Sequence, residues 1–553
     1  MLKRKSFCVV IIILSFIITS LVVQDTNAAI SADPKLEIPK DILSVKIGAV
    51  EYLNAHAFDS KGNGETFTFS KTGSASTVVL ENTSYFSITG VSSGIDYLNV
   101  TSGSGVSKTI QIKVYDPMIL DDGNGLLIAF VDQFDWKWHD EGTGADMYGK
   151  FSHPIVPSDT KYQGFHALGS LAQGTWTNPN GIEYSVIVKD KNNASLLAPP
   201  VDYEWIWSDW GSGGDYDGSF WRPIAPAGYA CLGTVAQSGY NKPSTDVIRY
   251  VKEELTVKAK TGSLIYNDAG SGADYDFGSW RITEPDNIAS EDGKAFLSIN
   301  TFVSATSHNV NAVNMSNARM LYISLPIMDS YDDAESEPYL TGYHSFDNFK
   351  PRFSRYIYVP FTLMKDNVPD HNLHWKVVNS PFYFLARVEE YTSVDFFDNR
   401  QGSKDVTKTL TIETGYSTTE TSLFSTELGI EVSAGGEVGL FGTGGSWSVS
   451  VQTTLKWESS TANTYSVTTT KSTEYTVPAG KFGELLQVTG KFLLISGNDF
   501  TIGTLPMKSS GLKILEYPLS ENNSQEIPGF ATTVIGFSLV FLAMAIGKKR
   551  RPF

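Results

Sequence analysis

Residues 423–457 read LFSTELGIEVSAGGEVGLFGTGGSWSVSVQTTLKW and alternate apolar with polar in two places. Ile430, Val432 and Ala434 alternate with Glu431 and Ser433. Beyond a glycine-rich bend, Trp447, Val449 and Val451 alternate with Ser446, Ser448 and Ser450. A period of two sends each set to one face of a strand. Gly435, Gly436, Gly439, Gly442, Gly444 and Gly445 supply the bend that lets two strands meet as a hairpin, with Val438, Leu440 and Phe441 at its apolar tip. Two structures fit this pattern. One is a soluble strand pair with one face on a sandwich core. The other is a membrane hairpin, apolar to lipid and polar to a lumen, which needs about 9–11 residues per strand.

The flanks bear on that choice. Residues 405–421 and 459–480 are dominated by threonine and serine. Threonine favours strands, and strands polar on both faces hold their register weakly, which suits a sheet that rearranges. With the Val477-Pro-Ala-Gly-Lys481 turn and Leu485-Leu-Gln-Val-Thr489, residues 380–505 resemble the aerolysin and epsilon-toxin class, in which the bracketed hairpin detaches and becomes barrel wall. The resemblance implies a lipid-facing set of Ile430, Val432, Ala434, Trp447, Val449 and Val451. The lumen set would be Glu431, Ser433, Ser446, Ser448 and Ser450. One hairpin supplies two strands, so a closed barrel requires a homo-oligomer.

At 553 residues the chain is too long for one core, and its composition, with scarce helical periodicity, is that of an all-β protein. The net charge of −17 excludes a phosphate-tracking nucleic-acid binder. Residues 1–29 have the basic start, apolar run and small-residue end of a secretory signal. Residues 527–547 form an uncharged run long enough to span a bilayer, followed by a basic tail at 548–553. The positive-inside rule then leaves the bulk outside the cell, anchored by its C-terminal segment. Pro528-Gly529-Phe530 before that run resembles the sorting signals of archaeal surface proteins, in which a lipid replaces the helix. Cys8 lies in the signal and Cys231 stands alone, so no intramolecular disulfide is expected.

Between these ends, residues 30–116 carry short alternating strands at the spacing of an immunoglobulin-like sandwich, similar in pattern to bacterial surface modules. Residues 117–305 contain three related copies. The first begins Trp138-His-Asp-Glu-Gly-Thr-Gly-Ala-Asp146, the second Trp207-Ser-Asp-Trp-Gly-Ser-Gly-Gly-Asp215 and the third Tyr266-Asn-Asp-Ala-Gly-Ser-Gly-Ala-Asp274. Three such units imply stacked sheets that share a core. The run WSDWGSGGDYDGSFWRPIAPAGYACLGTVA resembles the vacuolar protein sorting family sixty-two, which implies a three-repeat β-prism, a fold used on membranes and sugars. Family likeness does not fix the function. Residues 306–515 would be an elongated aerolysin-like β module holding the hairpin 423–457, and 516–526 a linker.

Asp209, Asp215, Asp217, Asp268, Asp274 and Asp276 sit in tight glycine loops and are the candidate calcium ligands, although the full calcium-loop pattern is missing and aspartates also stabilise turns. Trp210 and Tyr216 are the candidate surface-binding aromatics. No cofactor is otherwise implied. Enzyme signals are weak: Gly90-Val-Ser-Ser-Gly94 has no helix after it, Phe151 stands where a phosphate loop needs a hydroxyl, and His371 and His374 read as surface. The expectation is an exported, surface-anchored, pore-forming-toxin-like protein. Its partners are membrane lipid or surface glycan and other copies of itself. The alternative is a non-lytic adhesion or structural protein on the same folds.

Overall fold

The computed structural model describes residues 33–517 apart from 39–41, 82–84, 286–292, 332–339, 343–344, 347–352, 416, 433–437, 441–448 and 451–467. The expected signal at 1–29, the segment 527–547 and its basic tail therefore lie outside the described residues, as do Ala434, Phe441, Trp447 and Val451 and all but the first two residues of the linker. Among the described residues no helix is long and apolar enough to cross a membrane.

Most of the regular structure among the described residues is strand. Near its start, Ile42–Lys46, Ser107–Tyr115, Gly94–Ser102 and Phe67–Thr72 form one sheet, in which the first pair runs parallel. Val50–Asn54, Tyr85–Gly90 and Ser76–Leu80 form an antiparallel sheet. Their inward residues, among them Val45, Leu53, Phe86, Leu98, Val100 and Ile112, make one buried cluster. The strand Gly94–Ser102 also carries a buried carboxylate, Asp96, which accepts from the Ala75 and Ser76 amides, the Ser76 hydroxyl and the Lys71 ammonium. A buried charge is tolerable when every lone pair has a donor.

The three repeats fold alike. Phe134–His139, Lys150–Pro154 and Leu171–Gln173 form the first sheet; Asp202–Ser208, Gly218–Ile224 and Val235–Ser238 the second; Lys260–Asn267, Gly278–Thr283 and Phe302–Ala305 the third. Each opening hairpin is irregular at the same place, between Trp136 and Trp138, Trp205 and Trp207, and Leu264 and Tyr266. The irregularity turns Trp138, Trp207 and Tyr266 inward, where they share a core with Phe151, Phe220, Phe277 and Phe302. The third unit runs past residue 305: Arg319–Ser324 pairs with Thr256–Lys258 and Lys294–Leu297.

The second half is a five-stranded antiparallel sheet in the order Ile327–Tyr331, Phe353–Pro360, Phe382–Asp398, Phe482–Ile495, Thr501–Tyr517. Along Phe482–Ile495 every residue is buried to Val488, after which buried and half-buried residues alternate. The strand thus passes from two covered faces to one. Beside this sheet lies a two-stranded ribbon, Val406–Thr414 with Thr469–Val477. The sheet and the repeats share a single hydrophobic cluster that includes Leu126, Phe130, Leu321, Phe382 and Leu494.

Residues 418–421, expected in a hydroxyl-rich strand, begin the α-helix Thr418–Leu428 instead. Ser417 caps it by accepting from the Glu420 amide, and Gly429, at φ 69°, ends it in the left-handed region. Ser417-Thr-Thr-Glu420 has the Ser-x-x-Glu form of a capping box, and here a cap and a stop outweigh threonine's strand preference.

Candidate functional site

Two features of the fold stand out: the segment inserted into the hydroxyl-rich ribbon, and the end of the repeats where three glycine loops meet.

The ribbon's strands pair one-for-one from Val406 opposite Val477 to Thr414 opposite Thr469. Residues 415–468 therefore leave and re-enter the ribbon at one point. Hydroxyls face each other across it, Thr407 to Thr476 at 2.9 Å and Thr414 to Thr469 at 3.2 Å. A single carboxylate ties both strands to the main sheet. Asp395 accepts from the Lys408 ammonium at 2.7 Å and the Tyr475 hydroxyl at 2.9 Å. Burial pushes its carboxyl up, but these two donors outweigh burial and hold it below the ordinary value of 3.8.

Within the inserted segment, Ile430–Val432, Val438–Leu440 and Val449–Ser450 form a small antiparallel sheet. This differs from the simple hairpin expected. Val438 and Leu440, read as its tip, belong to the middle strand, with Val432 opposite Val438 and Ile430 opposite Leu440. Ile430 and Leu440 are 0% exposed and belong to the main core, with Phe424 and Leu428 from the helix beside them. The apolar tip thus has a folded-state partner that the pattern of residues alone does not reveal. The helix is fastened at its C-terminal turn, where carbonyls lack intrahelical partners. The Lys365 amide donates to the Leu428 carbonyl at 2.8 Å, the Lys365 ammonium to Thr426 at 3.3 Å and the Asn367 side chain to Glu427 at 2.8 Å. Asp366, between those two residues, is buried and accepts from the Tyr383 hydroxyl and binds His371 Nδ1, both at 2.5 Å. His374 binds a different carboxylate, Asp132 of the first repeat, at 2.6 Å. The two histidines noted in the sequence are therefore parted between carboxylates, and each acts as a tie.

At the end of the repeats the three loops interlock in a ring. The Asp215 amide donates to Glu141, Asp274 to Trp210 and Asp146 to Ala269, at 2.9, 3.0 and 2.8 Å. Asp140, Asp209 and Asp268 occupy equivalent buried positions. Each accepts from the amide nine residues on, of Gly149, Gly218 and Phe277 respectively. Glycine at 218 is required by close approach, since a Cβ there would lie 2.2 Å from the Trp138 ring. Asp140 and Asp268 also have side-chain partners, which differ between the two repeats. Trp176 Nε1 donates to Asp140 at 2.6 Å, His308 binds Asp268 at 2.6 Å, and the Tyr240 hydroxyl bonds to Asp217 beside Asp209. Burial pushes the Asp209 carboxyl above its usual range.

Of the six candidate calcium ligands, then, Asp209 and Asp268 are spent on turn chemistry, while Asp215, Asp217, Asp274 and Asp276 are exposed on the loops. Among the described residues no group of three or more acidic, histidine or cysteine side chains is placed to hold a metal. Trp210 is 67% exposed and stacks on Tyr240 at 5.7 Å. Tyr216 is exposed and meets Trp136 edge-on at 4.8 Å. Sequence reasoning left out Trp136, Trp176 and Tyr240. For Trp136 the signal was present in the repeats, since Trp136, Trp205 and Leu264 each stand two residues before an inward ring.

Comparison with known proteins places both features. Residues 120–336 match the family model of Vps62, vacuolar protein sorting-associated protein 62, and residues 355–491 that of the insecticidal crystal toxin, P42. For the second stretch the matched model is this toxin family, where the sequence had suggested the aerolysin class. No match to a curated protein was found. Among solved structures, GNIP1Aa from Chromobacterium piscinae is 25% identical at a TM-score of 0.30, over 36% of this chain and 36% of that one. Cry35Ab1 is 11% identical at a TM-score of 0.26, over 72% of this chain and 91% of that one. The chain thus spans about a third of the first of these structures, and alignments at such TM-scores carry no functional argument. The matched stretches do locate the parts: the three repeats lie within the stretch similar to Vps62, and the ribbon, its inserted segment and the central strands of the sheet within the stretch similar to the insecticidal crystal toxin.

Proposed function

We propose that the chain is a toxin-like surface protein in which the repeats hold a target membrane. The inserted segment then re-pairs as a membrane hairpin within an oligomer. The observation that carries this reading is the register of the ribbon. Continued one-for-one beyond Thr414 and Thr469, it sets Val432 opposite Val451 and Ala434 opposite Val449, and reaches its turn at Phe441–Gly442. Residues directly opposite share a face. Ile430, Val432, Ala434, Val438 and Leu440 then lie on one side with Val449, Val451 and Trp447. Glu431, Ser433 and Ser450 lie on the other. The apolar and polar sets fall into register in the extended ribbon, as apolar residues also do in the folded sheet, where Leu440 faces Val449. In the folded arrangement Val432 faces Val438.

A second reading, a static adhesion protein, is favoured by the burial of Ile430 and Leu440 and by the fastening of the helix at Lys365 and Asn367. Dye release from liposomes by the full chain separates the two. A disulfide between Val432→Cys and Val438→Cys pins the folded arrangement; on the first reading it abolishes release and reduction restores it. Absence of release from every lipid tested, with no ring-shaped oligomers, leaves the static protein. Export and anchoring rest on the sequence of residues 1–29 and 527–547.

A further inference from the structure

We propose that the end of the repeat module recognises choline headgroups of a lipid surface, through an aromatic strip at the junction of the first two repeats. This rests on the membrane-binding reading and names the chemistry of its target.

The strip is a chain of touching rings. Trp136 meets Tyr216 at 4.8 Å, Tyr216 meets His139 at 4.7 Å, His139 meets Trp176 at 6.0 Å and Trp176 meets Tyr148 at 4.8 Å. Trp136, Tyr148, Trp176 and Tyr216 are all exposed. Tyrosine and tryptophan with one side wet and the other packed are the residues found at membrane interfaces. Pseudo-symmetry supplies a contrast. The next junction repeats the pair as Trp205 with Tyr275 at 5.3 Å, whereas the positions of the third are held by Leu264 and Met147. The packed core needs no aromatic ring at the outer position, because the third junction is built without one.

Charge selects the occupant. Asp146, Asp215 and Asp217 are exposed on the loops that carry Tyr148 and Tyr216, and among the described residues none forms an ion pair. Glu141 lies 3.7 Å from His139 Nδ1. The cations nearby are engaged: Lys150 donates to the Trp176 carbonyl and Lys137 pairs with Asp135. An anionic headgroup would be repelled by this surface. A quaternary ammonium is attracted both by ring faces and by carboxylates.

The test is co-sedimentation of the full chain with vesicles of phosphatidylcholine, phosphatidylethanolamine or phosphatidylglycerol, read as binding and not leakage. Any contribution from other apolar segments is common to the phosphatidylcholine and phosphatidylethanolamine arms. Binding to phosphatidylcholine should be at least about tenfold tighter than to phosphatidylethanolamine, following the desolvated cation–π range, and free phosphocholine should compete. The double variant Trp136→Ala with Tyr216→Ala should erase the difference, and Leu264→Ala should keep it. Circular dichroism confirms that both fold. Equal binding to the two zwitterionic lipids overturns the proposal, as does a preference that survives the double variant. Capture by a neutral glycan without competition by phosphocholine also overturns it. Choline-dependent binding without leakage would defeat pore formation alone and leave this assignment standing.

Discussion

The loop ring of the repeats and the segment inserted in the ribbon are both glycine-rich and polar, yet they are held in opposite ways. In the ring, each buried aspartate fixes its own loop, and each loop bonds to the next. No loop can move without the other two. The inserted segment is held by a few apolar side chains and by a clamp on the last turn of one helix. Its contacts are few and are not chained to one another, the organisation expected of an element that opens below the global unfolding free energy. A rigid end and a releasable segment are what a protein needs if one part is to hold a surface while another changes.

Truncating a buried side chain in each region should break this contrast most plainly. Trp207→Ala empties the centre of the repeats and should cost about 3–5 kcal/mol, seen as a lower global melting temperature. Leu440→Ala removes comparable packing, but its effect should appear as faster proteolysis between residues 415 and 468 with little change in global melting. Equal global losses would abolish the distinction.

A smaller effect is expected from Gly503→Val. A Cβ at 503 would lie 2.5 Å from Leu428 Cδ1, so the larger side chain displaces the helix, at a cost of about 1–3 kcal/mol. Dye release should rise relative to the natural chain. Asn367→Ala, which removes one bond to the Glu427 carbonyl, should loosen the same clamp by about 1 kcal/mol, read as hydrogen exchange in Thr418–Leu428.

Acid should act on the ribbon and spare the ring. The Asp395 carboxyl is depressed in the folded state, so its contribution is complete above the ordinary value of 3.8 and is lost as pH falls below it. Proteolysis of the ribbon should therefore rise below about pH 4, and Asp395→Asn should show the same sensitivity already at neutral pH.

Much of this organisation was legible in the residues. The three Asp-Gly loops announced three equivalent units, because each repeats the same turn chemistry at the same spacing. The hydroxyl-rich strands were legible from 406 to 414, where polar alternation is unbroken. The helix Thr418–Leu428 was misread because Thr418, Thr419 and Thr421 suggest a strand, while the signal that decides, Ser417 with Glu420 and then Gly429, lies at the ends of the element. The fate of Leu440 was not legible at all. Its burial depends on Ile430, Phe424 and a sheet brought together from distant sequence, and no local pattern encodes that. The interlock of the loops is likewise tertiary: Asp215 meets Glu141 only because three units close on each other.

On the proposed function, the inserted segment re-pairs by continuing the ribbon's register. A chain carrying Val432→Cys and Val451→Cys tests it directly. The natural Cys231 is buried, its thiol pushed up to about 12 by that burial, and does not compete. Oxidation before and after vesicle binding, followed by peptide mapping, should show the 432–451 link formed only in the membrane-bound state. A membrane-bound chain in which Val432→Cys and Val451→Cys never link would contradict it.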